Sequence, residues 1–311
     1  LPQFASYLDL RTHKNKSDTH EQETKRKYNS AMDELDQFIG LQKVKELIKE
    51  MVQMQKIRPK LLEQGISFGH NVMHCCFVGN PGTAKTTVAR LLGEILKEEG
   101  ILKTGVFVEA TRKDLIGEYT GHTAPRIVEF FKKARGGVLF IDEAYSLVDG
   151  YGRKSYGDEA IATIVELMEN HRHDTVVVFA GYPKEMEEFL SLNPGLKSRI
   201  PHMVKFSDYS TDDMVEIAQF IAKEKGFEFN EEALLSLGVQ LQNAQHSTSF
   251  ANGRTVRNMV ESILTKHVIK TFQNEEMSES NTVNVVGVES VELVEKSVEL
   301  VSYCYRKATY S

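Results

Sequence analysis

The sequence predicts an α/β fold: a parallel sheet with helices on both faces, followed by a small all-helical domain. Three observations carry this. Short apolar runs at 72–78, 106–109, 138–141, 175–181 and 202–206 alternate with segments of helical periodicity. The runs 72–78, 138–141 and 175–181 are apolar almost throughout, as strands buried on both faces are. From Ser210 onward the strands stop and helical periodicity alone continues.

The chain has 311 residues, 41% hydrophobic and 26% charged, which suits one large or two modest globular domains. Its net charge of −6 argues against a nucleic-acid surface. Cys75, Cys76 and Cys304 cannot all pair within the chain. The first two are neighbours in an apolar strand and read as buried free thiols, which fits a reducing, cytoplasmic compartment. No apolar run approaches the roughly 18–20 residues that span a bilayer, so no membrane partner is expected. No signal peptide opens the chain. It begins with Leu1 rather than Met, as a fragment or a processed product would.

Residues 1–29 read as a polar N-terminal linker or tail, with a docked charged helix as the alternative. Structure is expected from Ser30. Leu35, Phe38, Ile39, Leu41, Val44, Leu47 and Ile48 fall mostly at helical spacing, broken by Gly40, and helix continues from Met51 to Leu62. The strand 72–78 comes next, and Val88 to Leu92 open a helix behind it. The strand Val106–Glu109 leads into a segment, 112–125, that reads as a loop because Gly117 and Gly121 flank Tyr119. A helix runs from Arg126 to about Ala134. After the strand 138–141, a glycine-rich, basic and aromatic loop spans Tyr151 to Gly157 and precedes a helix carrying Ala160, Ile161, Ile164, Leu167 and Met168. The strand 175–181 ends in a turn at Tyr182-Pro183. The helix Glu185–Ser191 precedes the fifth strand, His202–Phe206. The α/β domain is therefore expected over 30–207 and a helical domain over 208–275. In the latter, Ser210 and Asp213 form a capping box, Asn230 caps a second helix, and Asn252 opens a third that reaches about Phe272. In the tail, 276–311, Val291, Val294, Val298 and Val301 line one helical face; the pattern leaves open a docked helix, a partner-binding helix or disorder.

Two stretches carry chemistry. Gly79, Asn80, Pro81, Gly82, Thr83, Ala84, Lys85, Thr86 and Thr87 lie between an apolar strand and a helix, the context of a P-loop. Backbone N–H groups of such a loop wrap nucleotide phosphates, and the helix dipole favours the same anion. Lys85 would reach the terminal phosphates and Thr86 would place its hydroxyl on Mg²⁺. Ala84 stands where the pattern asks for Gly, and its methyl group is expected to reduce affinity or rate. The second stretch is the apolar strand Val138–Ile141, ending in Asp142 and Glu143. At the carboxyl end of a parallel strand, Asp142 would hold Mg²⁺ and Glu143 would polarise the attacking water. ATP or ADP and Mg²⁺ are thus the expected ligands of a P-loop NTPase sheet.

The order P-loop, Asp-Glu strand, apolar strand with turn, Ser198-Arg199 and helical lid resembles the AAA+ ATPases from about residue 30 to 272. Gly79–Thr83, Gly117–Pro125, Phe140–Tyr145 and Ala180–Pro183 are similar to the CbbX and stage V sporulation protein K branch of that family. The resemblance implies that Arg199 is an arginine finger given to a neighbouring subunit; alone, it reads as a surface ion-pair residue. It implies that Arg254 is the sensor-2 arginine, with Arg257 as fallback, although either could cap a helix. Tyr182 is the sensor-1 candidate in place of the commoner Asn or Thr, or else an edge tyrosine. Phe38 and Ile39 match the adenine-packing segment, or are core. Tyr119 matches the pore-loop aromatic, or is a surface tyrosine. The function so implied is an ATP-hydrolysing ring, expected to be a hexameric homo-oligomer, that remodels or translocates a protein client. The alternative is an ATP-binding assembly scaffold or switch with little hydrolysis. A DNA or RNA motor is disfavoured by the acidic balance.

Overall fold

The computed structural model describes residues 29–67, 72–119, 121–148, 156–273 and 284–294. They fall into two compact units: one comprises 29–80 and 84–207, the other 81–83 with 208–294.

The first unit opens with α1 (Ala31–Asp36), capped by Ser30, whose Oγ accepts the Asp33 N–H at 3.1 Å. Gly40 and Leu41 both take left-handed backbone, φ +63° and +58°, and turn the chain into α2 (Gln42–Glu63). Next come β1 (Cys75–Gly79), α3 (Lys85–Glu98), β2 (Phe107–Ala110) and α4 (Arg112–Leu115). The segment 112–125, expected to be a loop, begins as this short helix because Asp114 accepts the Thr111 N–H at 2.8 Å. Then follow α5 (Thr123–Lys133), β3 (Val138–Ile141), a 3₁₀ turn (Ala144–Leu147) and α6 (Tyr156–Asn170). The unit ends with β4 (Val176–Gly181), α7 (Pro183–Leu192), α8 (Pro194–Lys197) and β5 (His202–Phe206).

The five strands form one sheet in the order β2-β3-β4-β1-β5, and every pairing is parallel. Every residue of β1, β3 and β4 is buried, as their apolar runs predict. Phe77, Phe140 and Phe179 are fully enclosed, each stabilising the fold by roughly 1.5–3 kcal/mol. Cys75 and Cys76 are buried free thiols. Burial pushes the Cys76 thiol up to about 12 and the Cys75 thiol higher still, so neither is a reactive thiolate.

The second unit contains α9 (Thr211–Glu224), α10 (Glu231–Gln245) and α11 (Asn252–Gln273). Ser210 and Asp213 form the expected capping box, and Asn230 accepts the Ala233 N–H at 2.8 Å. To these helices the structure adds a two-residue parallel ladder, β6 (Glu228–Phe229) with β7 (Val285–Val286). The ladder leads residues 284–294 onto the helices, where Val286, Val291 and Val294 are buried and Gln240 Nε2 donates to the Val291 carbonyl at 3.2 Å. Residues 1–28, the loop 151–155, and Val298 and Val301 of the tail lie outside the described residues. Among the described residues no helix is long and apolar enough to cross a membrane.

His74 precedes β1 and is almost fully buried. Its Nδ1 accepts the Val177 N–H at 3.0 Å, and its Nε2 lies 3.3 Å from the Met168 carbonyl. A backbone N–H needs a lone pair, so Nδ1 is bare and Nε2 carries the hydrogen. The imidazole thus ties β1, β4 and the end of α6 together only while neutral. Burial pulls its pKa down from 6.5 to about 4, against the Met168 bond and the charge of Glu169, which favour the cation. The contribution is complete above pH 6.5 and is lost as pH falls through about 4. The urea midpoint should accordingly drop over that interval by the equivalent of about 3 kcal/mol. His74→Gln should lose this part of the pH slope; an unchanged slope would remove His74 as the titrating group.

Candidate functional site

Because all five strands are parallel, their carboxyl ends share one edge of the sheet. Gly79 ends β1 there, Gly181 ends β4 and Ile141 ends β3. With β4 between them, β1 and β3 are two strand spacings apart, roughly 10 Å. The loop after β1 and the carboxylates after β3 therefore leave the sheet at the same edge.

The P-loop runs from Asn80, exposed, through Pro81 and Gly82 to Thr83, fully buried. Gly82 and Ala84 have φ +72° and +68°. The loop thus needs left-handed backbone at Ala84, where the sequence has placed a methyl group. Ala84 is also the N-cap of α3 and supplies no side-chain cap to its first turn. Lys85 Nζ donates to the carbonyls of Gly79 and Asn80, both at 2.8 Å. Thr86 is half-buried in the first turn, while Thr87 faces the core.

At the end of β3, Asp142 Oδ1 accepts the Glu143 N–H at 3.0 Å, and the Asp142 N–H donates to the Ala110 carbonyl at 2.9 Å. Glu143 is exposed and left-handed, φ +47°. A non-glycine residue held there marks strain that the surroundings must maintain. Beyond β4, the Tyr182 ring meets that of Tyr145 at a tilt of 31°, ring centroids 5.8 Å apart. Gly181 permits this approach, since a Cβ there would lie 2.8 Å from Tyr145 Cδ1 and 2.7 Å from Met186 Sδ. Burial first, and then Glu143, Tyr182, Glu185 and Asp142, push the Tyr145 hydroxyl up to about 12. The edge is thus acidic on the β3–β4 side and cationic at Lys85. Thr86 and Asp142 offer oxygen donors only, a set that fits Mg²⁺.

Phe38 is buried and Ile39 half-buried in the turn between α1 and α2, where Lys45 Nζ donates to the carbonyls of Phe38 and Asp36. Tyr119 is 66% exposed and meets His122 edge-on at 5.5 Å. The hydroxyl of buried Thr123 accepts the Gly117 N–H at 3.1 Å and closes the base of this loop.

Arg199 stands apart from the group. It follows α8 and precedes β5, whose His202 is level with Cys75 at the start of β1. Arg199 therefore lies at the amino edge of the sheet. The five residues of β1 put a strand length, roughly 15 Å, between that edge and the chain's own P-loop.

In the second unit, Arg254 is exposed in the first turn of α11, and its N–H donates to the Ala251 carbonyl at 3.0 Å. Asn252 beside it is fully buried with φ +47°. Its Nδ2 donates to Asp208 Oδ1 at 2.7 Å and the Pro81 carbonyl at 3.2 Å, while its Oδ1 accepts the Tyr209 N–H at 3.0 Å. The Gly253 N–H donates to the Gly82 carbonyl at 3.1 Å. A Cβ on Gly82 would lie 2.0 Å from the Ala251 oxygen. Sequence reasoning treats Asn252 only as a helix opener; the Asn-Gly pair, a turn signal, was the available pointer to its connecting role.

A family model described as AAA, the ATPase family associated with various cellular activities, matches residues 75–207, and an AAA lid domain matches 210–289. Stage V sporulation protein K of Bacillus subtilis (strain 168) is 41% identical over 255 residues, covering 81% of this chain and 79% of its own. Protein CbbX of Cereibacter sphaeroides is 40% identical over 231 residues, 74% of this chain and 75% of its own. The chloroplastic ribulose bisphosphate carboxylase/oxygenase activase of Cyanidioschyzon merolae is 41% identical over 234 residues, with 74% and 79% covered. Among solved structures, the RuvB Holliday junction branch migration motor of Thermotoga maritima aligns with a TM-score of 0.54 over 85% of this chain and 71% of its own. At 16% identity that likeness extends to the fold alone.

The left-handed alanine gives a direct test of the loop. Such a conformation costs a non-glycine residue roughly 1 kcal/mol or more, and glycine's greater unfolded-state freedom offsets part of any gain. Ala84→Gly should raise the thermal midpoint by about 1–3 °C and tighten ATP binding measured by calorimetry. A lower midpoint would show that the methyl group is packed rather than strained.

Proposed function

We propose that this chain, which belongs to the AAA family of ATPases and within it to the branch of CbbX and stage V sporulation protein K, hydrolyses ATP as a ring-forming motor on a protein client. The observation that carries the reading is that the P-loop and the Asp142-Glu143 pair leave the same carboxyl edge of one parallel sheet, with only β4 between their strands. Residues 30–207 would bind the nucleotide and 208–275 would form the lid.

In this reading Lys85 exchanges its two carbonyl partners for the terminal phosphates, and the uncapped first turn of α3 supplies N–H groups to the same anion. Thr86 and Asp142 would hold Mg²⁺, which offsets negative charge on the phosphate oxygens. Glu143, exposed at the carboxyl edge, takes the proton of the attacking water. Phe38 and Ile39 would pack on adenine, with Tyr182 and Arg254 as nucleotide sensors. The position of Arg199 supports a shared site. An arginine side chain cannot cover a strand length, so its target is the γ-phosphate of the adjacent subunit. Tyr119, exposed on a loop stapled at its base, would grip an extended polypeptide by ring contacts that tolerate many sequences. The expected assembly is hexameric and cytoplasmic.

The strained Ala84 favours a second reading, a switch that binds ATP, assembles and barely hydrolyses it. Single-turnover kinetics separate the two: bound ATP that persists after assembly would favour the switch.

Mixing subunits tests the motor. Glu143→Gln and Arg199→Ala should each lower ATP turnover by ~10³-fold or more, the scale on which arginine fingers act. Mixed together they should recover activity, because an Arg199→Ala chain keeps an intact Glu143 that the other variant's Arg199 can complete. Two inactive variants that stay inactive when mixed would sink the shared site.

A further inference from the structure

We infer that Glu169, in the last turn of α6, is the positioning residue that aims Arg199 at the neighbouring subunit's nucleotide. The inference rests on the shared-site reading above and adds to it the group that sets the finger's geometry.

Glu169 Oε2 lies 3.3 Å from Arg199 Nε, and Arg199 Nη1 donates to the Gly195 carbonyl at 3.2 Å. The Nε atom is sealed from solvent and has no aligned hydrogen bond, so the Glu169 carboxylate is the charge it faces. Glu169 Oε1 pairs with Arg172 Nη1, and Arg172 Nε lies 3.0 Å from His173 Nε2. The carboxylate is therefore itself held, with one oxygen on each arginine. Two of the three guanidinium nitrogens of Arg199 point back at its own subunit. Nη2 has no such contact among those described, and a third of the side chain is exposed. A long side chain anchored at Nε and Nη1 has lost most of its freedom before a neighbour arrives. That matters for a finger, since a misplacement of about 1 Å can cost on the order of 10²-fold in rate.

The energetics keep this role separable from a structural one. Glu169 is nearly half exposed. An ion pair of that kind contributes little to folding, so removing it should lower the thermal midpoint by no more than about 4 °C. Aim, unlike stability, is sensitive to the loss of one anchor.

The test uses the full chain at concentrations where turnover per subunit has levelled off. Glu169→Ala should lower kcat about 10–100-fold while the KM for ATP and the Kd for ADP stay within about twofold. Glu169→Gln, which keeps a hydrogen-bonding oxygen, should lose less. In an Arg199→Ala background Glu169→Ala should add nothing. Mixed with Glu143→Gln subunits, Glu169→Ala subunits should regain turnover, since their own intact sites then receive a well-aimed Arg199. Wild-type kcat in Glu169→Ala, an equal further loss in the Arg199→Ala background, or no rescue on mixing would each overturn the inference. If Arg199→Ala alone kept full turnover, the finger reading itself would fall, an outcome distinct from a neutral Glu169 beside an essential Arg199.

Discussion

Parallel pairing of all five strands governs this molecule. It sends every strand's carboxyl end to one edge and every amino end to the other. Helices must return the chain between strands, so α6 finishes beside the start of β4 and α8 beside the start of β5. Chemistry is thereby sorted by position along a strand. The P-loop, Asp142, Glu143 and Tyr182 leave strands at the carboxyl edge, whereas His74, Glu169 and Arg199 gather at the amino edge. The strands buried throughout, β1, β3 and β4, are the three central ones of that sheet.

Backbone strain follows the same map. Among the described residues, the non-glycine residues with positive φ are Leu41, Ala84, Glu143 and Asn252. Leu41 ends the turn that holds Phe38 and Ile39. Ala84 leads into Lys85, Glu143 is the proposed base, and Asn252 opens the helix of Arg254. Each conformation is unfavourable locally and persists because neighbouring contacts hold it. At Asn252 those contacts are explicit: three side-chain hydrogen bonds to Asp208, Tyr209 and Pro81. An asparagine can meet this demand, since its side chain is short and polar and tolerates left-handed backbone. Alanine at 84 has no comparable compensation in its side chain, which is why the loop's departure from glycine is a physical anomaly as well as a departure from a pattern.

Much of this was legible in the chain because the signals were local. The strand 138–141 announces itself by four consecutive buried apolar residues, and Ser210 with Asp213 announces a helix start by spacing alone. Family membership followed from motifs whose order is as specific as their content. Less legible was anything decided by contacts between distant segments. His74 sits within a run that reads as strand, yet it lies outside β1, and its ring bonds reach residues near 168 and 177. The ladder of Glu228–Phe229 with Val285–Val286 is too short for periodicity to reveal. The tail's register on the helices depends on Gln240 and Val291 meeting across the fold. Glu169 is one of many glutamates on helix surfaces, and nothing in its neighbours Met168 and Asn170 singles it out.

The two edges also bear on the proposed role of Arg199, which lies far from its own chain's P-loop. Had Arg199 lain at the carboxyl edge, each chain could complete its own site, and turnover would carry no information about its neighbours. Placed a strand length away, the cation is out of reach of its own P-loop, which is the geometry the proposed shared site requires. Its anchors, Glu169 and the Gly195 carbonyl, belong to the same amino edge. Glu169 belongs to α6 and Gly195 to α8, and α6 is tied to β1 and β4 through His74. In the proposed ring, the contacts from His74 through α6 to Glu169 would join one subunit's sheet to the arginine it offers its neighbour.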